Sequence, residues 1–87
     1  MLKNTYIVKS EKGLTSRASA ALVSEANKYK CELFLLTNGE EANLKSIMNV
    51  MGLAVRKDAE ITITAEGEDT EKALERIEVV LIDTRVI

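Results

Sequence analysis

Residues 32–43 read Glu-Leu-Phe-Leu-Leu-Thr-Asn-Gly-Glu-Glu-Ala-Asn, two strand-like runs (Glu32 to Thr37 and Glu40 to Asn43) joined by Asn38-Gly39. Asn and Gly tolerate the positive φ that a two-residue type I′ turn needs at both central positions, so the stretch predicts a tight hairpin. Upstream, Ser16 to Lys28 is rich in alanine. Ala18, Ala21, Leu22 and Ala26 fall near one helical face, with Glu25, Asn27 and Lys28 elsewhere, and Thr15 or Ser16 can cap the start. Further back, Leu2 to Lys9 carries β-branched and aromatic residues, with Tyr6 and Val8 on one face, and ends in the polar turn Ser10-Glu11-Lys12-Gly13.

Downstream of the hairpin, Ser46 precedes Ile47, Met48, Val50, Met51, Leu53 and Val55. This spacing predicts a short helix whose apolar surface is wider than one stripe, loosened or ended at Gly52. Ile61 to Ala65 alternates apolar residues with threonines, the period of a half-buried strand whose threonines face away from the core. Asp69 or Thr70 can cap a last helix in which Ala73, Leu74, Ile77, Val80 and Leu81 line one face and Glu71, Lys72, Glu75, Arg76 and Glu78 the other. The order is βαββαβα, an α+β chain with helices covering one face of an antiparallel or mixed sheet. Two folds satisfy it: an open-faced β-sandwich, and a ferredoxin-like core with an added C-terminal helix.

The 87 residues suit one domain spanning 1–87. With 46% hydrophobic and 30% charged residues the chain is too apolar to remain disordered. Twelve basic and 14 acidic residues give a net charge of −2 with no block of like charge. That argues against direct binding to nucleic acid or to a membrane surface, and favours a protein or small anion as partner. The longest apolar run, Leu33 to Leu36, is far short of the roughly 20 residues that cross a bilayer, and no signal-peptide region is visible, so a cytoplasmic location is expected. Cys31 is the only cysteine and there is no histidine, which excludes an internal disulfide and leaves no plausible zinc or copper site. No cofactor is expected. Cys31 reads as a small buried hydrophobe, with no histidine to activate it. Glu40-Glu41 flank a turn and read as solvated charge, and nothing else suggests an enzyme.

Chemistry is then confined to the serine and threonine clusters at two helix starts. Free N–H groups and the positive dipole end make each a possible anion site, although from spacing alone plain N-capping is the favoured reading of both, since capping residues occur at most helix starts. Arg17 lies one turn into the first helix, where the dipole disfavours a cation unless an anion is near.

Gly13-Leu14-Thr15-Ser16-Arg17-Ala18-Ser19-Ala20 resembles the active-site loop of HPr, the histidine phosphocarrier family of the sugar phosphotransferase system (PTS). In that loop a glycine and an apolar residue precede the phosphorylated histidine, then a small residue, arginine, and usually proline and alanine. Thr15 stands here for the histidine and Ala18 for the proline. Asn43 to Val55 is similar to the regulatory-serine region of HPr from Gram-positive bacteria, with departures at Asn49 and Gly52. The Asn38-Gly39 turn, Ala65-Glu66-Gly67-Glu68-Asp69 and Ala73-Leu74 extend the likeness over residues 2–82 without an insertion.

The resemblance implies the HPr-like open-faced β-sandwich, a four-stranded antiparallel sheet covered by three helices. It also implies a regulatory protein without phosphohistidine transfer, since a phosphothreonine ester at Thr15 is much less reactive than a phosphoimidazole. Ser46 would be the residue modified by HPr kinase/phosphorylase, and the product a co-effector for a catabolite-control transcription repressor, as for a catabolite-repression HPr paralogue that lacks the histidine. A phosphate at a helix start adds about 1.5 to 2 negative charges and gains charge-assisted hydrogen bonds there. Ile47, Met48 and Met51 would form the partner-facing patch with Arg17. From spacing alone Met48 and Met51 suit surface and core equally, whereas Val50, Leu53 and Val55 suit the core. The alternative is a phosphorylation-independent domain docking on PTS enzymes through Thr15, Ser16 and Arg17.

Overall fold

The computed structural model describes all residues, 1–87, and its elements run β1 (Leu2–Ile7), α1 (Ser16–Ala26), β2 (Glu32–Thr37), β3 (Glu40–Asn43), α2 (Ile47–Gly52), β4 (Glu60–Glu66) and α3 (Thr70–Asp83). The expected order is therefore present, with α1 ending two residues and β1 two residues earlier than the sequence suggests. Asn38 and Gly39 lie at φ 50° and 77°, and Thr37 pairs with Glu40 across them, as the type I′ reading requires.

The strands form one sheet in the order β1-β4-β2-β3, with every neighbouring pair antiparallel. Alternation decides which face is covered. Leu33 and Leu35 of β2 and Ile61, Ile63 and Ala65 of β4 are buried with Leu22 of α1, Val50 of α2 and Ala73, Leu74, Ile77 and Leu81 of α3 in a single core. Each fully buried Leu or Ile contributes about 1.5–3 kcal/mol by leaving water. The sheet is an open-faced sandwich, and with β1 at an edge and no parallel pair of strands the ferredoxin-like alternative falls away.

Thr62 and Thr64 sit on the uncovered face, as the alternation predicts, and Thr62 Oγ1 is 2.9 Å from Thr5 Oγ1. Thr64 is nevertheless buried, because β4 is a central strand and the register sets Thr64 between Phe34 and Lys3. Burial on this face comes from side-chain neighbours alone.

Cys31 is buried in the core, and burial followed by its contact with Asp69 pushes the thiol pKa up, keeping it protonated at neutral pH. Asp69 occupies the N-cap position of α3 but makes no capping bond with its side chain. Its carboxylate instead accepts from the N–H groups of Lys30 and Cys31, both at 3.1 Å, tying the start of β2 to the start of α3. Those two backbone bonds, Lys30 first, hold its pKa below the usual carboxylate range.

Candidate functional site

Gly13 fixes where the first cluster lies. It adopts φ +70°, and a Cβ built on it would come within 2.2 Å of the Val55 carbonyl oxygen, so only glycine permits the approach. The next residue exploits that contact, since Leu14 N–H donates to Val55 O at 3.0 Å. The loop before α1 is thereby joined to the segment that leaves α2.

Thr15 is the N-cap of α1, its Oγ1 accepting from Ala18 N–H at 3.1 Å while Ser19 N–H donates to Thr15 O. The N–H groups of Ser16 and Arg17 have no acceptor within the chain and Ser16 and Arg17 are exposed. Thr15, Arg17 and Ala18 line a cleft of about 300 Å³ whose other wall is Asp83, Thr84 and Arg85. Arg85 reaches it from the turn after α3, where it adopts φ 62° and the N–H groups of Val86 and Ile87 both donate to Leu81 O. Neither arginine takes part in an ion pair. Two cations and two free N–H groups around a hydroxyl make an arrangement that an oxyanion can satisfy, with Asp83 the one opposing charge.

Ser46 is the N-cap of α2, with Oγ accepting from Asn49 N–H at 3.3 Å and the carbonyl accepting from Val50 N–H at 3.1 Å. The approach to it is fixed from α1. Asn27 Nδ2 donates to Lys45 O at 3.1 Å, Lys45 Nζ donates to Tyr29 O at 2.6 Å, and Lys45 N–H donates to Asn43 Oδ1 at 2.9 Å. Tyr29 is itself held by donating through its hydroxyl to Glu25 Oε2 at 2.7 Å, and burial together with that carboxylate pushes its pKa up to about 12.

Beyond Ser46, Met48 is 78% exposed and Met51 49% exposed, Ile47 is half-buried, and Val50 and Val55 are in the core with Leu53 packed against it. The two methionines are therefore surface residues, which composition and spacing left open. The second cluster does not line the Thr15 cleft. What joins the two is the Leu14–Val55 hydrogen bond and the packing of α1 on α2.

Sequence reasoning missed Asp83, Thr84 and Arg85, because only folding brings the end of α3 to the start of α1. It also missed Asn27, Lys45 and Tyr29 as supports for Ser46. A basic residue just beyond a helix is a recognisable C-terminal feature, and it was the one available signal for Arg85. No three His, Cys, Asp or Glu side chains converge as a metal centre would require. No helix is long and apolar enough to cross a membrane.

Residues 2–83 match the family model described as the PTS HPr component phosphorylation site. The chain belongs to the HPr family. Among HPr proteins, it is 39% identical to phosphocarrier protein HPr of Mycoplasma capricolum over 87 residues, covering 100% of this chain and 98% of that one. It is 40% identical to the HPr-like protein Crh of Bacillus subtilis over 77 residues, which is 88% of this chain and 91% of Crh. Its structure is similar to that of a Mycoplasma histidine-containing phosphocarrier protein, with a TM-score of 0.97, 38% identity and coverage of 99% and 98% of the two chains. That HPr structure accords with the open-faced four-stranded sheet and three helices described above. This chain has threonine at position 15, which its resemblance gives to the phosphorylated histidine, and it contains no histidine.

Proposed function

We propose that this HPr-family chain is a cytoplasmic regulatory protein of the PTS that has given up phosphohistidine transfer and is controlled by phosphorylation at Ser46. The observation that carries the reading is Ser46 at the N-cap of α2 with the exposed Met48 and Met51 on the same short helix. An HPr kinase/phosphorylase would supply the phosphate. The modified Ser46, with Ile47, Met48, Met51 and Arg17, would then engage a catabolite-control transcription repressor, and flexible methionines suit such an interface. Thr15 supports the same reading from the other side, since it offers a hydroxyl where transfer needs an imidazole nitrogen. Incubation with HPr kinase and ATP, followed by mass spectrometry, is expected to place one phosphate on Ser46 and none on a Ser46→Ala variant. A chain that emerges unmodified at Ser46 ends this reading.

The cleft between Arg17 and Arg85 favours a second reading, in which Thr15, Ser16 and Arg17 contact a PTS enzyme whatever the state of Ser46. Capture of the PTS phosphotransfer enzymes that survives Ser46→Ala but is lost in Arg17→Ala would establish it; no capture by either form would dispose of it.

A further inference from the structure

β1 is an edge strand: it pairs with β4 on one side, and none of the backbone bonds outside the ladders involves Leu2 to Ile7. Its outward N–H and C=O groups are therefore free to pair with an added strand. The usual protections are sparse here, with no proline in the chain and Lys3 the only charge in the strand.

On the helix side this edge opens into a groove of about 350 Å³ between β1 and α3, lined by Leu2, Lys3, Asn4, Glu71, Leu74, Glu75 and Glu78. The sides of the strand can be told apart. Tyr6 donates to Glu78 at 2.7 Å, so Leu2, Asn4 and Tyr6 face α3, whereas Thr5, bonded to Thr62, faces the open side with Lys3. Leu2 is left 39% exposed. Glu71, Glu75 and Glu78 recur at helical spacing along the opposite wall, and none of them forms an ion pair.

We propose that this groove receives an extended segment of a partner protein, paired with β1 and carrying lysine or arginine on its helix-facing side. Main-chain bonds to β1 would supply affinity, and alternate side chains meeting the three glutamates would supply specificity. Charge complementarity chooses this occupant over a second copy. Antiparallel β1–β1 pairing brings two walls of three glutamates each together, and the one cation each copy brings to the groove rim, Lys3, has its strand position on the open side with Thr5.

The test titrates the isotope-labelled full chain with an octapeptide alternating lysine and valine, following amide shifts and exchange. Shifts confined to β1 and the first turns of α3, slowed exchange in β1, and binding about threefold to tenfold weaker in the Glu71→Gln/Glu75→Gln double variant are expected, the scale of two exposed ion pairs. Equal binding by the glutamate–valine octapeptide, or no shift in β1, overturns the proposal. So does undiminished binding when prolines remove the peptide N–H groups that face β1, since charge alone would then explain it. Self-association by sedimentation with protected β1 amides gives the groove to a second copy and likewise refutes it.

Discussion

Replacing Tyr29 by Phe removes one hydroxyl and tests how firmly the approach to Ser46 is held. The hydroxyl donates to Glu25 Oε2 at 2.7 Å, and Glu25 is only 8% exposed. Its remaining partner is Lys28 Nζ at 3.2 Å, on a side chain that is itself 65% exposed. A hydrogen bond to a charged acceptor contributes about 1.5–3 kcal/mol, and water reaches this carboxylate poorly, so Tyr29→Phe should lose about 2 kcal/mol at neutral pH. In a domain of this size that lowers Tm by about 8–16 °C. The sign with pH follows from Glu25, whose pKa is lowered first by the Tyr29 bond and then by Lys28. A depressed carboxylate contributes stability that is complete above the unfolded pKa and disappears as pH falls through the folded one. The deficit of the variant should therefore be largest near pH 7 and shrink towards about 1 kcal/mol, the value of a neutral bond, in acid. Urea denaturation of both proteins across that range measures it. A deficit that is constant with pH, or below about 0.5 kcal/mol at neutrality, would refute the assignment.

Two further substitutions probe the loop before α1 and the helix itself. Gly13→Ala should cost about 2–4 kcal/mol, combining the left-handed φ with the overlap on Val55 O, and should expose Leu14 N–H to exchange; a midpoint unchanged in urea would contradict the contact. Ser19 is fully buried and its Oγ has no partner, so Ser19→Ala should stabilise the fold by about 1 kcal/mol, whereas a loss of stability by calorimetry would mean that the hydroxyl is satisfied after all.

Elements whose signal is local were legible in the sequence. Asn38-Gly39 declared its turn, the cap of α1 was narrowed to Thr15 or Ser16 and proved to be Thr15, and the alternation of Ile61 to Ala65 declared which side of β4 meets the helices. Positive φ at non-glycine residues other than Asn38 was not legible. Helix α2 ends at Gly52, as its sequence suggests, but the left-handed residue beyond it is Ala54 at φ 50°, and Asp58, Asp69 and Arg85 also adopt positive φ. Aspartate visits this region more readily than most residues, whereas alanine and arginine enter it at a cost, so side-chain type alone does not mark these positions. The Thr15 end of the site was read correctly as a loop and cap, but its second wall comes from Asp83 to Arg85, which sequence spacing cannot bring near. Asp69 shows the same limit: its position at the helix start was evident, while its bonds to Lys30 and Cys31 depend on the sheet.

The strand order has a consequence for how the chain folds. The β2–β3 hairpin closes over two residues and can form within microseconds, but β1 has only β4 as a neighbour, and its register sets Leu2 against Ala65. Pairing β1 with β4 therefore closes a loop that contains most of the chain, at an entropy cost the β2–β3 hairpin does not bear. The first strand along the sequence thus waits on the last one for its only partner.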